Sequence, residues 1–589
     1  MLASLFALAL SLGATPDLST VSERSGFLRT GRYEETIALC AKFAEAFPQQ
    51  VRCDRFGVTP EGRPMLALVA SSDGMLTAER ARRLGRPVVV IQGGIHAGEI
   101  DGKDAGFLVL RDLLQRKGFA SDAKESPLSR FTLVFIPVFN VDGHERFGPN
   151  QRPNQRGPEE TGWRVTARNL NLNRDYAKAD SEEVRHLLRL LGQWDPVLYV
   201  DLHATDGAQF RHDVAVMIEP LTVGPPELTS RGRALSDNVL QRLTEQGHLP
   251  LPFYPSFRKD DDPQSGFAVG VAPPRFSHAS RAIRNRFGVL VETHSWRTYP
   301  ERVKVTARVL EALFLETAQH GEDWLKAAAA ADARDARAKI GEETILAWEP
   351  AGATRTIDFL GYAYEHVDSP VSGAKIIRYD EKTPQVWRVP LVEGVRPTLT
   401  VRAPEAYVIP AAWAPVVEPL LRLHGLRYDV LGSEKRDLEV EQFRATEKKF
   451  RATSYEGRQP LEVKGQWQRA RVSVREGSLV VPVAQPGRRL VLHLFEPGAP
   501  DALITWGLFN AAFEQKEYVE DYVVEPFARE LLASDPKVRA LFEARLKDEA
   551  FAKDPSARLR FFAERHPAWD SRLDLYPVMR VRLGALGEH

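Results

Sequence analysis

Apolar and polar residues alternate along the first half of the chain in segments whose lengths and periods predict strands separated by helices. RPMLALVAS, RPVVVIQGG, FTLVFIPVFN, PVLYVDLHA and FGVLVETHS are apolar runs bounded by Gly, Pro or Asp, as is typical of buried strands. YEETIALCAKFAEAF and SEEVRHLLRLLGQW have the helical period, and Asp180 with Glu183 predicts a capped start for the second. Residues 30 to 300 therefore predict an α/β fold with a mostly parallel or mixed sheet flanked by helices.

The pattern changes after a long helical stretch rich in Ala and charge, which runs from ERVKV to ARAKI. We expect it to close a first domain at residues 23–325 and to continue as a helical linker at 326–340. Residues 341–589 predict a mixed α+β region with one strand-helix-strand unit around AAWAPVVEPLLRLHG. Within this region RRLVLHLFEPG predicts a strand, and the stretch from about residue 515 onward is mainly helical in pattern.

Charge and the N-terminal segment bear on partners and location. Lys+Arg and Asp+Glu both number 79, so nothing predicts a nucleic-acid partner. MLASLFALALSLGATPD has the length of a signal-peptide core and is too short to span a bilayer. We expect residues 1–22 to be a signal peptide of a secreted or periplasmic protein, although no Lys or Arg precedes the run and an ordinary helix stays an alternative. No later stretch predicts a transmembrane segment.

The chain has two cysteines, Cys40 and Cys53. In an exported protein they could form one disulfide that closes a short loop. The alternative is two unpaired thiols, one of them on the apolar face of a helix.

Titratable residues follow three of the predicted strands. His96 and Glu99 come after VVVIQGG, His203 lies in YVDLHATDG, and Glu292 lies in VLVETHS. Each alone could be an ordinary turn or strand-end residue, but ligands gather at the carboxyl ends of strands in such sheets. Two imidazoles and one carboxylate form a catalytic zinc set with a position left for water, and a further carboxylate can move that water's proton. A second H-x-x-E, at His493, falls in a predicted strand, where residues three apart face opposite sides, and we attribute it to chance.

A second polar cluster lies between the strands. NVDGHERFG predicts a turn, and GWRVTARNLNLNRDY contains Arg164, Asn173 and Arg174. The planar guanidinium of arginine can hold a carboxylate at two points. Three further arginines in these loops are Arg152, Arg156 and Arg168. We expect the first two to be ordinary surface residues, and either role is open for the third.

The chain contains six short motifs in the order HAGE, NVDG, WR, LNRDY, DLHA and VETH. Read in this order, they resemble the motifs of the zinc carboxypeptidases. In that family H-x-x-E after a strand is followed by N-P-D-G, W-R, an L-N-R-N-F-like segment, a lone His after a strand and a Glu on a late strand. The segment from Gly57 to Arg63 is also similar to the early strand pair of the family. The resemblance covers roughly residues 25 to 325.

The resemblance implies a role for each matching residue. It implies one zinc ion per chain, bound by His96, Glu99 and His203. Glu292 would be the general base, and Arg164 would stabilise the oxyanion. Asn173 and Arg174 would hold the terminal carboxylate of the substrate.

The sequence departs from the family pattern at three places. One is the long insertion between NVDG and WR, which makes the match of Arg164 weaker than that of Arg174. Asn171 stands where the family usually has an Asp that orients the first zinc histidine, and a neutral amide supports a ligand less strongly. The segment some twenty residues before the base, where the family has a substrate tyrosine, contains none. Tyr254 and Tyr299 are candidate substitutes. We expect His278 to be a surface residue, and His294 either to touch substrate or to be a buried, hydrogen-bonded histidine.

These observations predict a zinc-dependent carboxypeptidase that hydrolyses the amide next to a free carboxylate in a peptide or an acyl-amino acid. A related zinc amidase or deacylase, acting on cell-wall peptides or acylated amino acids, is an alternative because the tyrosine is missing and the second half is unusual. A peptidase fold retained as a binding module is another. Its expected mark would be the loss of a ligand or of the base, and all four residues are present.

Overall fold

The computed structural model describes residues 16–118 and 125–586. Of the predicted signal peptide, residues 1–15 lie outside these ranges. Leu18, Thr20 and Ser22 are buried, and the hydroxyl of Ser22 contacts the Tyr299 hydroxyl at 3.3 Å. A leader that is removed would have to end before Leu18 to leave this packing intact.

The first region contains eleven strands in its described residues. They are β1 (Val51–Val58), β2 (Pro64–Ala70), β3 (Val88–Gly93), β4 (Thr132–Ile136), β5 (Gly148–Pro149), β6 (Glu160–Thr161), β7 (Leu198–Ala204), β8 (Val214–Glu219), β9 (Pro250–Leu251), β10 (Phe267–Ala268) and β11 (Phe287–Thr293). Eight of them form one sheet in the order β1-β2-β4-β3-β7-β11-β8-β9. The central strands β4, β3, β7 and β11 run parallel to one another. Strand β2 pairs antiparallel with both β1 and β4, and β8 pairs antiparallel with β11. The predicted mixed α/β fold is confirmed.

The helices of this region pack on both faces of the sheet. They are α1 (Val21–Arg24), α2 (Tyr33–Ala46), α3 (Ala78–Arg83), α4 (Asp101–Gln115), α5 (Val141–Glu145), α6 (Glu182–Trp194), α7 (Pro226–Glu245), α8 (Ser277–Ala282) and α9 (Tyr299–Asp335). Leu202 of β7 lies against Gly102 of α4, where an added Cβ would come within 2.6 Å of the Leu202 Cβ. Gly288 of β11 meets the backbone of His278 in α8, at 2.1 Å from an added Cβ. Coverage on both faces explains why β3, β7 and β11 are buried along their whole length.

The start of α6 and the extent of α9 differ from the sequence expectations. Helix α6 is capped by Ser181, whose hydroxyl accepts from the Val184 amide at 3.3 Å, so the cap is one residue later than Asp180. Helix α9 runs unbroken through residue 325, and the predicted linker is its last turns and the loop after it. Across the residues described, no helix is both long and apolar enough to cross a bilayer.

The C-terminal region is rich in strands. Its strands are β12 (Glu343–Pro350), β13 (Thr354–Asp368), β14 (Lys375–Val392), β15 (Val395–Arg402), β16 (Ala406–Ile409), β17 (Asp429–Val430), β18 (Lys435–Phe450), β19 (Leu461–Val474), β20 (Leu479–Pro482) and β21 (Leu575–Val581). Its helices are α10 (Ala414–Leu423), α11 (Arg488–Phe495), α12 (Asp521–Ser534), α13 (Pro536–Arg545), α14 (Glu549–Lys553) and α15 (Pro555–Ala563). Six strands form a sheet in the order β17-β20-β16-β21-β18-β19.

The prediction of a strand at RRLVLHLFEPG was wrong, because this segment is α11. Seven of its eight residues are buried, and a short segment that is buried on all sides has no period that separates helix from strand. The last part of the chain is helical as expected, except that β21 follows the helices.

The two regions pack on each other rather than standing apart. One hydrophobic core extends from Leu18 in the first region to Val578 in the second. Strand β10 of the first region pairs with β14 of the second. Trp387 of the β13–β14 hairpin packs in a cluster with Phe210, which stacks on His294 just after β11. The C-terminal region therefore contacts the part of the first region where the candidate residues lie.

Cys40 and Cys53 form a disulfide between α2 and β1, with their Cα atoms 5.4 Å apart. Of the two alternatives left by the sequence, the structure contains the bonded pair.

Candidate metal centre

The three predicted metal ligands converge at the carboxyl end of the central strands. His96 and Glu99 lie in the turn between β3 and α4, which starts at Gly94 with a φ of +62°, a conformation that glycine adopts readily. His203 lies near the end of β7, the neighbour of β3. One potential ligand atom from each residue lies within 4.8 Å of the others, so the strand ends bring together residues that are more than a hundred positions apart.

The imidazoles present the same nitrogen to the centre. Nδ1 of His96 lies 3.0 Å from Oε1 of Glu99, and Nδ1 of His203 lies 3.0 Å from Oε2. Two imidazole nitrogens and the carboxylate between them face one point, and this donor set suits Zn²⁺.

The opposite ring nitrogens are held by neighbouring side chains. Nε2 of His96 lies 3.1 Å from Oδ1 of Asn171, and Nε2 of His203 lies 2.8 Å from Oδ2 of Asp201. Asp201 also accepts from Gln92 Nε2 at 3.1 Å. Such contacts orient metal-binding imidazoles. Asn171 therefore does make the contact for which the family has an Asp, but as a neutral acceptor.

Burial and charge act differently on the two histidines. Burial lowers the pKa of His96 to about 4, and the charge of Glu99 offsets only part of this effect. Burial also opposes the charged form of His203, but Asp201 and Glu99 outweigh it and raise the pKa of His203 well above its usual value. A metal needs both imidazoles unprotonated at Nδ1, so zinc binding should displace a proton chiefly from His203.

Glu99 is the charged centre of the site. Arg152 Nη2 lies 3.0 Å and Arg164 Nη1 lies 3.1 Å from its Oε1. Although burial opposes ionisation, the charges of His96 and Arg152 keep the pKa of Glu99 well below its usual value. The carboxylate is thus ionised and available to a cation.

Arg152 corrects a prediction, since it was expected at the surface. Its side chain is only 8% exposed, and its Nη2 also lies 3.3 Å from the carbonyl oxygen of Ala204. Nothing in the loop GPNQRPNQRG indicates that it folds over the site. Arg156 and Arg168 are exposed and pair with Glu381 and Glu182 respectively.

Glu292 stands beside the ligand set. In the parallel register of β7 and β11 it is the partner of His203. It is buried, and burial, with a contribution from the charge of Glu99, raises its pKa to about 8 although His203 opposes the shift. A carboxyl that binds a proton so readily is suited to proton transfer.

Of the two candidate tyrosines, Tyr254 is the one near this carboxyl. Tyr254 is 43% exposed, and the charge of Glu292 is the main cause that raises the pKa of its phenol. Tyr299 is buried, and its hydroxyl donates to Asp104 under α9, so Tyr299 has a structural position.

Asn173 and Arg174 lie in a short 3-10 helix, Leu172–Arg174. The amide oxygen of Asn173 accepts from the Ser277 backbone at 2.9 Å. Arg174 donates from Nη1 to the Asn173 carbonyl at 2.8 Å and from Nε to the Tyr455 hydroxyl at 3.2 Å. Tyr455 belongs to the C-terminal region, and no local pattern around it indicates this contact.

Three further histidines considered from the sequence are buried. His278 is buried, contrary to expectation. His294 stacks on Phe210 with ring centroids 3.9 Å apart and accepts from the Phe210 amide, which is the second of its two expected roles. His493 is buried in α11.

Comparison with known proteins agrees with this geometry. The family model described as zinc carboxypeptidase matches residues 36–212, a range that includes all three predicted ligands. Carboxypeptidase D of Drosophila melanogaster is 27% identical over 173 residues, which are 29% of this chain and 12% of that protein. An inactive metallocarboxypeptidase of Schizosaccharomyces pombe is 35% identical over 98 residues, 16% of this chain and 19% of that protein.

The matched segments thus span less than a quarter of these curated relatives. Among solved structures, carboxypeptidase A of Helicoverpa armigera has 17% identity and a TM-score of 0.35, with 52% of this chain and 75% of that chain covered. Residues 36–212 are therefore similar to the zinc carboxypeptidase family, and the three predicted ligands lie within the matched range.

Proposed function

We propose that this protein is a zinc-dependent carboxypeptidase that hydrolyses the amide bond next to a free C-terminal carboxylate. The observation that carries the proposal is the convergence of His96, Glu99 and His203 within 4.8 Å, with Glu292 in register beside His203. Bound zinc would polarise the scissile carbonyl and lower the pKa of a water molecule. The residues of the chain supply the rest of the chemistry.

In this proposal Glu292 moves the proton. It accepts a proton from the attacking water and delivers it to the nitrogen of the leaving amine. It is buried beside His203, so bulk water does not compete for the proton. Glu99 does not replace it, because the carboxylate of Glu99 is committed to the metal and to two arginines.

The two arginines that contact Glu99 differ in exposure, and we assign them different roles. Arg164 is 38% exposed and Arg152 only 8%. We assign oxyanion stabilisation to Arg164, because its more exposed side chain can turn towards a substrate carbonyl. Arg152 holds the Glu99 carboxylate from the buried side.

Arg174 and Asn173 would hold the terminal carboxylate. A guanidinium offers five N–H groups in a fixed plane, and Arg174 uses two of them within the described residues. Three are left for a ligand, which is enough for two-point binding of a carboxylate.

Two further proposals concern the location of the protein and whether it is active. The disulfide between Cys40 and Cys53 supports export to an oxidising compartment, and N-terminal sequencing of the native protein would identify any removed leader. One relative is an inactive metallocarboxypeptidase, but this chain keeps three ligands and the base, which supports an active enzyme.

The test is hydrolysis of matched peptides that end in a free carboxylate or in an amide, followed by mass spectrometry. Loss of the carboxylate leaves Arg174 without its partner and should lower kcat/KM by roughly 30- to 1000-fold, or about 2–4 kcal/mol. Arg174→Ala should lower the rate on the acid by a similar factor and have little effect on the amide. Arg168→Ala, which removes an exposed arginine, is the control.

Equal cleavage of the acid and the amide by the wild type would contradict the carboxypeptidase and favour the amidase alternative. A preference for the acid that survives Arg174→Ala would mean that another group holds the carboxylate.

A further inference from the structure

We infer that the C-terminal region completes the carboxylate-binding site through one turn between β18 and β19. This clamp turn, residues 451–460, positions Arg174 through Tyr455 and Asn171 through Glu456. The inference rests on the proposed function, because Arg174 is the proposed carboxylate ligand. It gives the C-terminal region a role in substrate recognition.

The first contact fixes the guanidinium of Arg174. Its Nε donates to the Tyr455 hydroxyl at 3.2 Å, and its plane lies over the ring of Phe276 with Cζ 4.4 Å from the centroid. Tyr455 is itself stacked on Trp506, with centroids 5.9 Å apart and planes 10° from parallel. The hydroxyl is therefore held by a rigid ring pair, and the remaining N–H groups of Arg174 have a defined direction.

The second contact reaches the metal ligands. Oε2 of Glu456 accepts from the backbone amide of Asn171 at 2.8 Å. Asn171 in turn accepts from the Asn173 amide at 3.0 Å and contacts His96 Nε2 at 3.1 Å. Through the neutral residue Asn171, Glu456 thus supports both Asn173 of the proposed clamp and His96, the first proposed metal ligand.

The backbone of Glu456 gives an independent reason to assign it a role. Tyr455 and Arg458 are paired across a tight turn, and the two residues between them have φ values of +50° and +74°. Such turns favour Asn-Gly or Asp-Gly, and a glutamate with positive φ is uncommon. Glycine would suit the backbone better, so the side chain of Glu456 has a use that outweighs the conformational cost.

The clamp turn is also anchored at its far side. Arg458 donates from Nε to Asp180 at 2.9 Å, and Lys178 Nζ lies 5.3 Å from the ring centroid of Trp506. The turn is thus attached to the segment that follows Arg174. Its position relative to the site is set by several contacts and not by one hydrogen bond.

The first test is Tyr455→Phe in the full-length chain, which keeps the stack on Trp506 and removes only the hydroxyl. We expect KM for a free-acid peptide to rise roughly 3- to 10-fold, the range of one hydrogen bond, with kcat nearly unchanged. Cleavage of the amide peptide should not change, so the preference for the acid should fall by the same factor. Tyr428→Phe, which removes a hydroxyl bonded to Glu418 elsewhere in the C-terminal region, should change neither value.

The second test is Glu456→Gly, with Glu456→Gln as its conservative partner. Glycine relieves the backbone and should leave the thermal midpoint unchanged or higher, yet zinc should be lost to a chelator about 2- to 10-fold faster because Asn171 is less well held. Glutamine keeps a carbonyl acceptor and should behave like the wild type. A glycine variant with lowered stability and normal zinc retention would show that Glu456 only stabilises the turn.

The outcomes separate the two proposals. If the wild type does not distinguish the acid from the amide, the carboxypeptidase proposal fails and the inference fails with it. If the wild type prefers the acid and Tyr455→Phe keeps the full preference, only the inference is wrong.

Discussion

Glu183 is a buried carboxyl in the first turn of α6, and its replacement by glutamine should make the protein's stability less dependent on pH. The side chain is buried, and within the described residues its Oε1 has no hydrogen bond. Burial raises its pKa from 4.5 to about 7, and the charges of Asp142, Glu182 and Asp175 add to the shift. Glutamine has nearly the same shape and does not ionise.

The direction in which stability changes with pH depends on whether the folded or the unfolded state releases its proton at the lower pH. Below the unfolded pKa of 4.5 the carboxyl is protonated in both states, and its full contribution to stability is present. As the pH rises towards 7, the unfolded chain loses the proton while the folded protein keeps it, so the free energy of unfolding falls. The total loss is about 3 kcal/mol, because each pKa unit corresponds to about 1.4 kcal/mol.

The measurement is the free energy of unfolding by denaturant titration, for the wild type and Glu183→Gln, at pH 4.5, 6 and 8. The extra N–H groups of glutamine add a cost that does not vary with pH. The stability of the variant relative to the wild type should therefore rise by about 2–3 kcal/mol between pH 4.5 and pH 8. A difference between Glu183→Gln and wild type that is the same at all three pH values would refute the reasoning.

Three further predictions concern the metal, the base and the disulfide. Purified protein should contain about one zinc per chain, and His96→Ala/His203→Ala should lose it; unchanged metal content by elemental analysis would contradict the assignment. Glu292→Gln should keep zinc and fold while kcat falls by roughly 100-fold or more, and near-normal turnover would place the base elsewhere. Cys40→Ser/Cys53→Ser should lower the free energy of unfolding by about 3 kcal/mol, as for loops of similar length; no difference between the variant and wild type under non-reducing conditions would show that the bond does not stabilise the fold.

Local sequence determined the strands of the central sheet and the residues at their ends. β3, β7 and β11 could be recognised because strands covered on both faces are apolar throughout, and turn residues mark where they stop. His96, Glu99, His203 and Glu292 lie within a few residues of those strand ends, so their convergence follows from parallel pairing alone. The alternation of strands and helices likewise predicted the α/β class.

Tertiary structure decided which other groups reach the site. Arg152 comes from a loop that looks like an exposed basic segment, and Tyr455 and Glu456 come from a hairpin about 280 residues further along the chain than Arg174 and Asn171. The loops that carry these residues look like ordinary turns and surface segments. Local patterns indicate which side of an element is buried, but not which distant element covers it. The same limit explains His278 and α11, whose burial depends on packing partners that the local sequence does not specify. The candidate metal ligands could be found from the sequence because they lie at the ends of recognisable strands, whereas the groups that orient them depend on loops whose paths are set by long-range packing.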